Sequence, residues 1–416
     1  MALVTRNDLT PRDSRARVRV WSAAPRGPRI TRLAGLVLLG SLLGSLWVRP
    51  IGRADEPDAV PLEGGQALRH CDLAATGDLL LHIKVVATGR AHGWDRVFAG
   101  LGEALEPGDL AFANLETPLV EDVLPVRTGS PPILGAPGEV AAALARAGIT
   151  VVGAANNHAY DQQSSGLART LEALEAAGVG YVGAHREQAA VLEPLIIERG
   201  GVRVAFLSFT DRVNRGPGAR PVQAHIARSM DAGVVAEAIR EARERAEIVV
   251  VGIHWSHDFV EAPSYRQRAR ARQMVELGAD FVVGTGPHIL HPVEILPSPR
   301  GQAVVAYSLG NAVSNQGQRY RIGRRVNREA HPAVVTPEPR DGALLRLRFA
   351  LDARGELHVE RLLAVGLWTE NNFFRFEQEG ERDVHVRRLA AVDEATRAER
   401  WPRIQAALGA ALTVVP

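Results

Sequence analysis

Residue types that hold metal ions and move protons recur in this chain at the ends of short apolar runs. The run 73–78 (LAATGD) ends on Asp78, with His82 just beyond it. The run 109–116 ends on Asn114 and Glu116. The run 149–158 ends on Asn156, Asn157 and His158, with Asp161 after it. The run 247–255 ends on His254 and is followed by His257 and Asp258. The runs 280–288 and 303–311 end on His288 and Asn311, with His291 and Tyr307 beside them. Carboxylates, imidazoles and side-chain amides are the ligand set of a hard-to-borderline dication such as Mn, Fe or Zn. Two such ions about 3.5–4 Å apart clamp a phosphate between them. Asp78 or Glu116 suits the bridging carboxylate of such a pair. A neutral histidine outside the metal shell serves as general acid to a leaving group. Each residue alone has a plainer reading. A strand-end Asp is a common helix N-cap, Asn-Asn-His a turn, and His254 beside Trp255 a hydrogen-bonded core residue. Their recurrence at one kind of place is what points to a site.

These ends need elements to position them. The runs are short and apolar throughout, as in strands buried on both faces, and 202–209 (VRVAFLSF) is another. Between them, 138–147, 165–177, 231–246 and 264–277 read as helices. Leu167, Leu171 and Leu174 share one face of the second, and Gly148, Gly178 and Gly278 stand where helices stop. A helix closed by Gly and leading straight into a strand marks β-α-β units. The fold class is therefore α/β, with sheets covered by helices. Strand C-termini are where open α/β sheets place their sites. After Asn315, residues 316–339 read as loop, 344–351 and 356–365 as a hairpin, and 386–411 as a closing helix.

A chain of 416 residues is long enough for one large domain or two small ones. Hydrophobic residues at 46% and charged ones at 23% argue against disorder. A net charge of +2 gives no case for nucleic acid as a partner. The single Cys71 excludes an intramolecular disulfide and a cysteine metal cluster, and reads as a buried thiol. Residues 33–48 (LAGLVLLGSLLGSLWV) are uncharged and shorter than the ~20 residues of a comfortable membrane span. They follow an arginine-rich lead and precede a small-residue cleavage site at Ala54. Residues 1–54 thus read as a signal peptide or membrane anchor with a polar lead, and 55–70 as linker. On either reading the body lies outside the cytoplasm, in the periplasm or at the cell surface.

Gly77-Asp78, Ala113-Asn114-Leu115-Glu116, Asn156-Asn157-His158 with Asp161, His254-Trp255, Pro287-His288 and Tyr307-Ser308-Leu309-Gly310-Asn311 occur in one order. This set resembles the CapA-type proteins of poly-γ-glutamate capsule synthesis, a branch of the calcineurin-like metallophosphatase superfamily. The match runs from about Leu73 to Gln316. It implies a four-layer α/β/β/α sandwich over 71–366 and a helical C-terminal extension over 367–416. It implies work outside the cell on poly-γ-glutamate or a phosphoester, alongside other capsule-synthesis proteins. The chain is then a metal-dependent hydrolase, or a catalytically weak polymer-binding scaffold. A secreted nucleotidase shares the superfamily site, but the His254-Trp255 and Tyr307–Asn311 motifs favour the capsule branch. Residue by residue, the resemblance implies Asp78 and His288 as ligands of a first divalent ion and Glu116 as the bridge. Asn157 is then a ligand that also touches substrate, His158 with Asp161 the acid, and His254 a ligand of a second ion. His82, Asn114, His257, His291, Tyr307 and Asn311 line the pocket.

The chain departs from the family pattern at Gly286, where His-Pro-His is usual, at Ser256, where Gly is usual, and at His291, where Gln is usual. Without a side chain at 286 a second ion loses a ligand, and His257 or His291 would have to compensate. The five arginines within 319–328 are either a polyanion grip at the site rim or a solvated loop.

Overall fold

The computed structural model describes residues 68–218, 220–323, 330–373 and 382–416. The expected signal or anchor segment, and residues 324–328 of the arginine-rich stretch, lie outside them. Among the described residues no helix is long and apolar enough to cross a membrane.

The main strands form one sheet with two halves. The first half runs Gly180–Val182, Val151–Gly153, Leu110–Asn114, Arg69–Leu79, Asp341–Leu351, Leu357–Asn371. The second runs Gly301–Ala306, Phe281–Thr285, Ile248–His254, Val202–Thr210, Leu195–Arg199. They join where Gly301 meets Leu357. Along 202–210, Val204 and Phe206 face the space between the halves, while Ala205, Leu207 and Phe209 face away. Ile248 and Val250 alternate in the same way with Val249 and Val251. Both faces are apolar, so these strands read in sequence as unbroken apolar runs.

Three cores result. The inner one packs Leu73, Ala75, Phe112 and Val151 against Val204, Phe206, Val250 and Val283, and the rings of Phe112 and Phe206 stack at 6.4 Å. The second covers the outer face of the first half with helices that include Val140–Arg146 and Gln163–Ala177. The third covers the second half with Ala232–Arg245 and Tyr265–Glu276. The layers are α/β/β/α. Asp231 caps its helix through the amides of Gly233 and Val234, and Ser264 with Gln267 forms a capping box. Cys71 is buried in its strand, and burial pushes its thiol up to about 12.

The C-terminal part departs from expectation. Strand Leu357–Asn371 runs through position 366, and Val384–Arg388 and Thr413–Val415 pair with it. The helix is Glu394–Leu408, capped by Asp393, and it sends Ile404 and Leu408 into the inner core. The described residues after 366 add strands Val384–Arg388 and Thr413–Val415 to the sheet and close the sandwich. The expected loop 316–339 contains the short helix Pro332–Val335. Helices Ile83–His92, Trp94–Val97 and Ala99–Ala104 were not legible, because glycines at 89, 93 and 102 break any regular apolar face.

Parallel pairing brings the polar strand ends to one edge. Asp78 lies opposite Asn114 and Asn311, Asn114 opposite Gly153, and His254 opposite both Thr210 and Thr285. Gly77 makes this approach possible. A Cβ there would sit 1.8 Å from the carbonyl oxygen of Gly310, whose oxygen also accepts the Asp78 amide at 3.0 Å. We predict that Gly77→Ala forces these backbones apart at a cost of about 1–3 kcal/mol or more. Urea unfolding checks this, and a wild-type midpoint would show that the approach is slack.

Candidate metal centre

Asp78 is fully buried and has three partners. Asn114 Nδ2 donates to its Oδ1 at 2.7 Å, the Gly286 amide donates to Oδ2 at 3.1 Å, and His288 Nδ1 lies 3.0 Å from Oδ2. The same Asn114 amide lies 3.2 Å from His254 Nδ1 and 3.4 Å from Glu116 Oε2. Glu116 Oε1 is 3.7 Å from His254 Nε2 and 3.9 Å from His288 Nε2, and has no hydrogen-bond partner. Ligand atoms of Asp78, Glu116 and His254 all lie within 4.8 Å of one another. Thr285 Oγ1, 3.3 Å from His254 Nδ1, can take the proton of that nitrogen and leave Nε2 free to ligate. An orphaned buried carboxylate oxygen among two imidazoles and a second carboxylate fits a borderline dication.

The electrostatics agree. Burial pushes the Asp78 carboxyl up, but the hydrogen bonds from His288 and Asn114 and the nearby imidazoles outweigh it and hold it below the ordinary range. Burial, then the Asp78 charge, push Glu116 well above that range. Hydrogen bonds thus favour the charged form of Asp78, and burial favours the neutral form of Glu116. Burial pushes His254 down to about 4, so it is neutral and ready to ligate.

A second group stands beside these ligands. His158 Nδ1 lies 2.6 Å from Asp161 Oδ2, which also accepts the Leu134 amide at 2.7 Å. Nε2 of His158 is left facing Asn214 Nδ2 at 3.3 Å. Asp161 thus acts through His158 and fixes its tautomer. Asn157 Oδ1 is buried without a partner, and Asn156 ties the segment back through Leu115 O at 2.7 Å. His82 is half-buried, and its Nδ1 accepts the Asn315 amide at 3.3 Å.

Other expected site residues fall elsewhere. Tyr307 does not line the pocket: its hydroxyl donates to Glu294 at 3.1 Å, and Arg268 lies over its ring in the outer core. His291 does not replace a ligand, because its Nε2 is 2.7 Å from Val260 O and straps the 256–263 loop. His257 is exposed on that loop, in the left-handed region at φ 83°. Asn311 supports the site from behind, donating to Pro339 O at 2.7 Å and His288 O at 3.3 Å. The sequence reading missed Thr285, Arg212, Asn214 and Arg215. The last three follow strand Val202–Thr210, whose end carries the same polar signal as the other strands.

Gly286 has φ 98°, and a Cβ there would lie 2.5 Å from Trp255 O and 3.1 Å from His254 Nε2. A side chain does not fit on this backbone path.

The four layers thus bring a candidate metal-ligand set to one strand edge. The model of the family described as bacterial capsule synthesis protein PGA_cap matches residues 72–316, and the chain belongs to that family. It is 31% identical over 300 residues to capsule biosynthesis protein CapA of Bacillus anthracis, covering 70% of each chain. It is 30% identical over 249 residues to PGA biosynthesis protein CapA of Bacillus subtilis (strain 168), covering 58% of this chain and 62% of that one. Among solved structures it is similar to Haemophilus influenzae NAD nucleotidase, with TM-score 0.41 and 11% identity over 82% of this chain and 57% of that one.

A raised Glu116 must ionise to ligate, so dication uptake releases a proton and strengthens as pH rises. We predict that dication uptake releases protons, and that the apparent affinity rises with pH over the range in which Glu116 is still protonated. Titration calorimetry in two buffers of different ionisation enthalpy reads this directly. Glu116→Gln should abolish the release, and equal heats in both buffers for the wild type would refute it.

Proposed function

We propose that the protein is an extracytoplasmic metal-dependent hydrolase of poly-γ-glutamate capsule biosynthesis, acting on a phosphoester or a γ-glutamyl polymer. The observation that carries this reading is the orphaned pair of buried oxygens, Glu116 Oε1 and Asn157 Oδ1, beside the oriented His158. The names of the two Bacillus relatives support the capsule context. The arginine-rich lead and apolar run 33–48 support export, either with cleavage or as a membrane anchor. Other capsule-synthesis proteins are the expected partners.

Asp78, Glu116, His254 and His288 would hold a divalent ion. An ion held there would polarise the P=O or C=O bond and make its phosphorus or carbon more open to attack by water. Asp161 holds the Nδ1 proton of His158, so Nε2 is the atom that would pass a second proton to the leaving group. Asn214 Nδ2 donates to that nitrogen while it carries no proton, and the Asn157 amide oxygen would meet ion or substrate. The apolar inner core seals the strand ends from the other side and keeps the local dielectric low. Because position 286 offers a backbone amide to Asp78 and no side chain, the site holds one ion firmly and a second weakly.

A polymer-binding scaffold is the competing reading, and Gly286 is the feature that favours it. Metal analysis with turnover of a generic phosphodiester and a γ-glutamyl oligomer separates the two. The hydrolase reading expects about one tightly held ion per chain, lost together with turnover in Asp78→Ala. His158→Ala should keep the ion and lose about 10²–10⁴ in rate. A chain with neither ion nor turnover is the scaffold.

A further inference from the structure

We propose that Arg212 and Arg215 form a fixed oxyanion-binding subsite beside His158, receiving a carboxylate or phosphate of the substrate next to the bond attacked. This deepens the hydrolase reading and rests on it for the identity of that bond.

The loop that carries both arginines is fastened to the site. The Asp211 amide donates to His254 O at 3.1 Å, and the Asn214 amide to Asn157 O at 2.8 Å. The Ser164 amide donates to Pro217 O at 2.7 Å, which pins the far end. Thr210 Oγ1 donates to Arg212 O at 2.8 Å and stiffens the start. The guanidinium groups therefore project from a backbone held at several points, and little ordering remains to be done on binding.

Their hydrogen bonding is incomplete. Arg212 donates one Nη2 bond to Asp258 Oδ1 at 2.7 Å, and its Nε is buried with no acceptor. Arg215 Nε is also buried with no acceptor. The nearest carboxylate oxygen to it, Asp161 Oδ1, is 3.9 Å away, beyond hydrogen-bond reach. That carboxylate is already committed through Oδ2 to His158 and Leu134. Each arginine side chain is partly exposed, 40% and 31%, so a ligand can reach it. Arg212 follows directly on Asp211, whose amide is bonded to the carbonyl of the candidate ligand His254.

A guanidinium presents its N–H groups as a rigid planar fork that matches two oxygens of a carboxylate or phosphate. Asp258 takes up part of the Arg212 charge, so Arg215 is the stronger half of the subsite. In a γ-linked glutamate chain every residue carries a free α-carboxylate close to the amide. In a phosphoester the phosphate itself supplies the oxygens.

The test titrates the full, metal-loaded chain with a γ-linked glutamate oligomer, the same oligomer with its carboxylates amidated, and inorganic phosphate. The wild type should bind at least one of the two anions about tenfold more tightly than the amidated oligomer, as expected for one charge-assisted contact. Arg215→Gln should lose that preference while ion content and unfolding midpoint stay at wild-type values. Arg215→Lys should restore part of it, and Arg212→Gln should show a smaller loss. Arginine dependence for the oligomer alone identifies a carboxylate, and for phosphate alone a phosphoester. Unchanged anion affinity in both Gln variants, or no anion binding by the wild type, overturns the subsite and leaves the hydrolase reading to its own turnover test. Arginine-dependent binding in a protein without turnover supports the subsite and removes the hydrolase reading.

Discussion

Asp78 is a carboxylate with 0% exposure at the end of a strand that is apolar on both faces. A charge taken out of water there is costly unless every oxygen is paired. Three groups from two separate segments pair it: the Asn114 amide, and the His288 ring and Gly286 backbone of one turn. Much of the site follows from satisfying this one anion. Asn114 can reach Asp78 because a register shift between their strands pairs these two residues, and its amide also lies near Glu116 and His254. His288 adopts φ 62°, uncommon for a residue with a Cβ, within the turn that brings its ring to the carboxylate. Phe259 covers that ring at 5.5 Å and is held by its own amide to Pro287 O.

The strands deliver this geometry because of the layers, not because of local propensity. The inner core forces the two sheet halves to face each other, so polar residues leave the strands together at one edge. At that edge hydrogen bonds favour the charged form of Asp78, while burial and the Asp78 charge disfavour the charged form of Glu116, whose Oε1 has no hydrogen-bond partner.

Gly286 shows how a backbone group substitutes for a side chain. Its amide serves Asp78, and the φ that permits this contact excludes a Cβ. In the family pattern that this chain resembles, a histidine at this position is a ligand of the second ion, and here the backbone amide serves one carboxylate. The neighbouring histidines do not make up the difference, since His291 straps a loop and His257 is exposed.

Much of this was legible in the residues alone. Short unbroken apolar runs, helices closed by Gly, and ligand-type residues at strand ends sufficed for the α/β class, the resemblance and the set Asp78, Glu116, Asn157, His158, His254 and His288. Asp231 and Ser264 marked their helix starts because capping is a local interaction. Long-range packing was not legible. The sequence does not say that Tyr307 turns to Glu294, that strand 357–371 continues past 366 to gather two more partners, or that the loop after Thr210 folds over His158. Those outcomes depend on which surfaces meet across hundreds of residues. Sequence types and local spacing determined which groups have the chemistry of a metal centre. Only the tertiary structure decided which of them share a charge, which merely hold others in place, and which arginines stand beside them with N–H groups unspent.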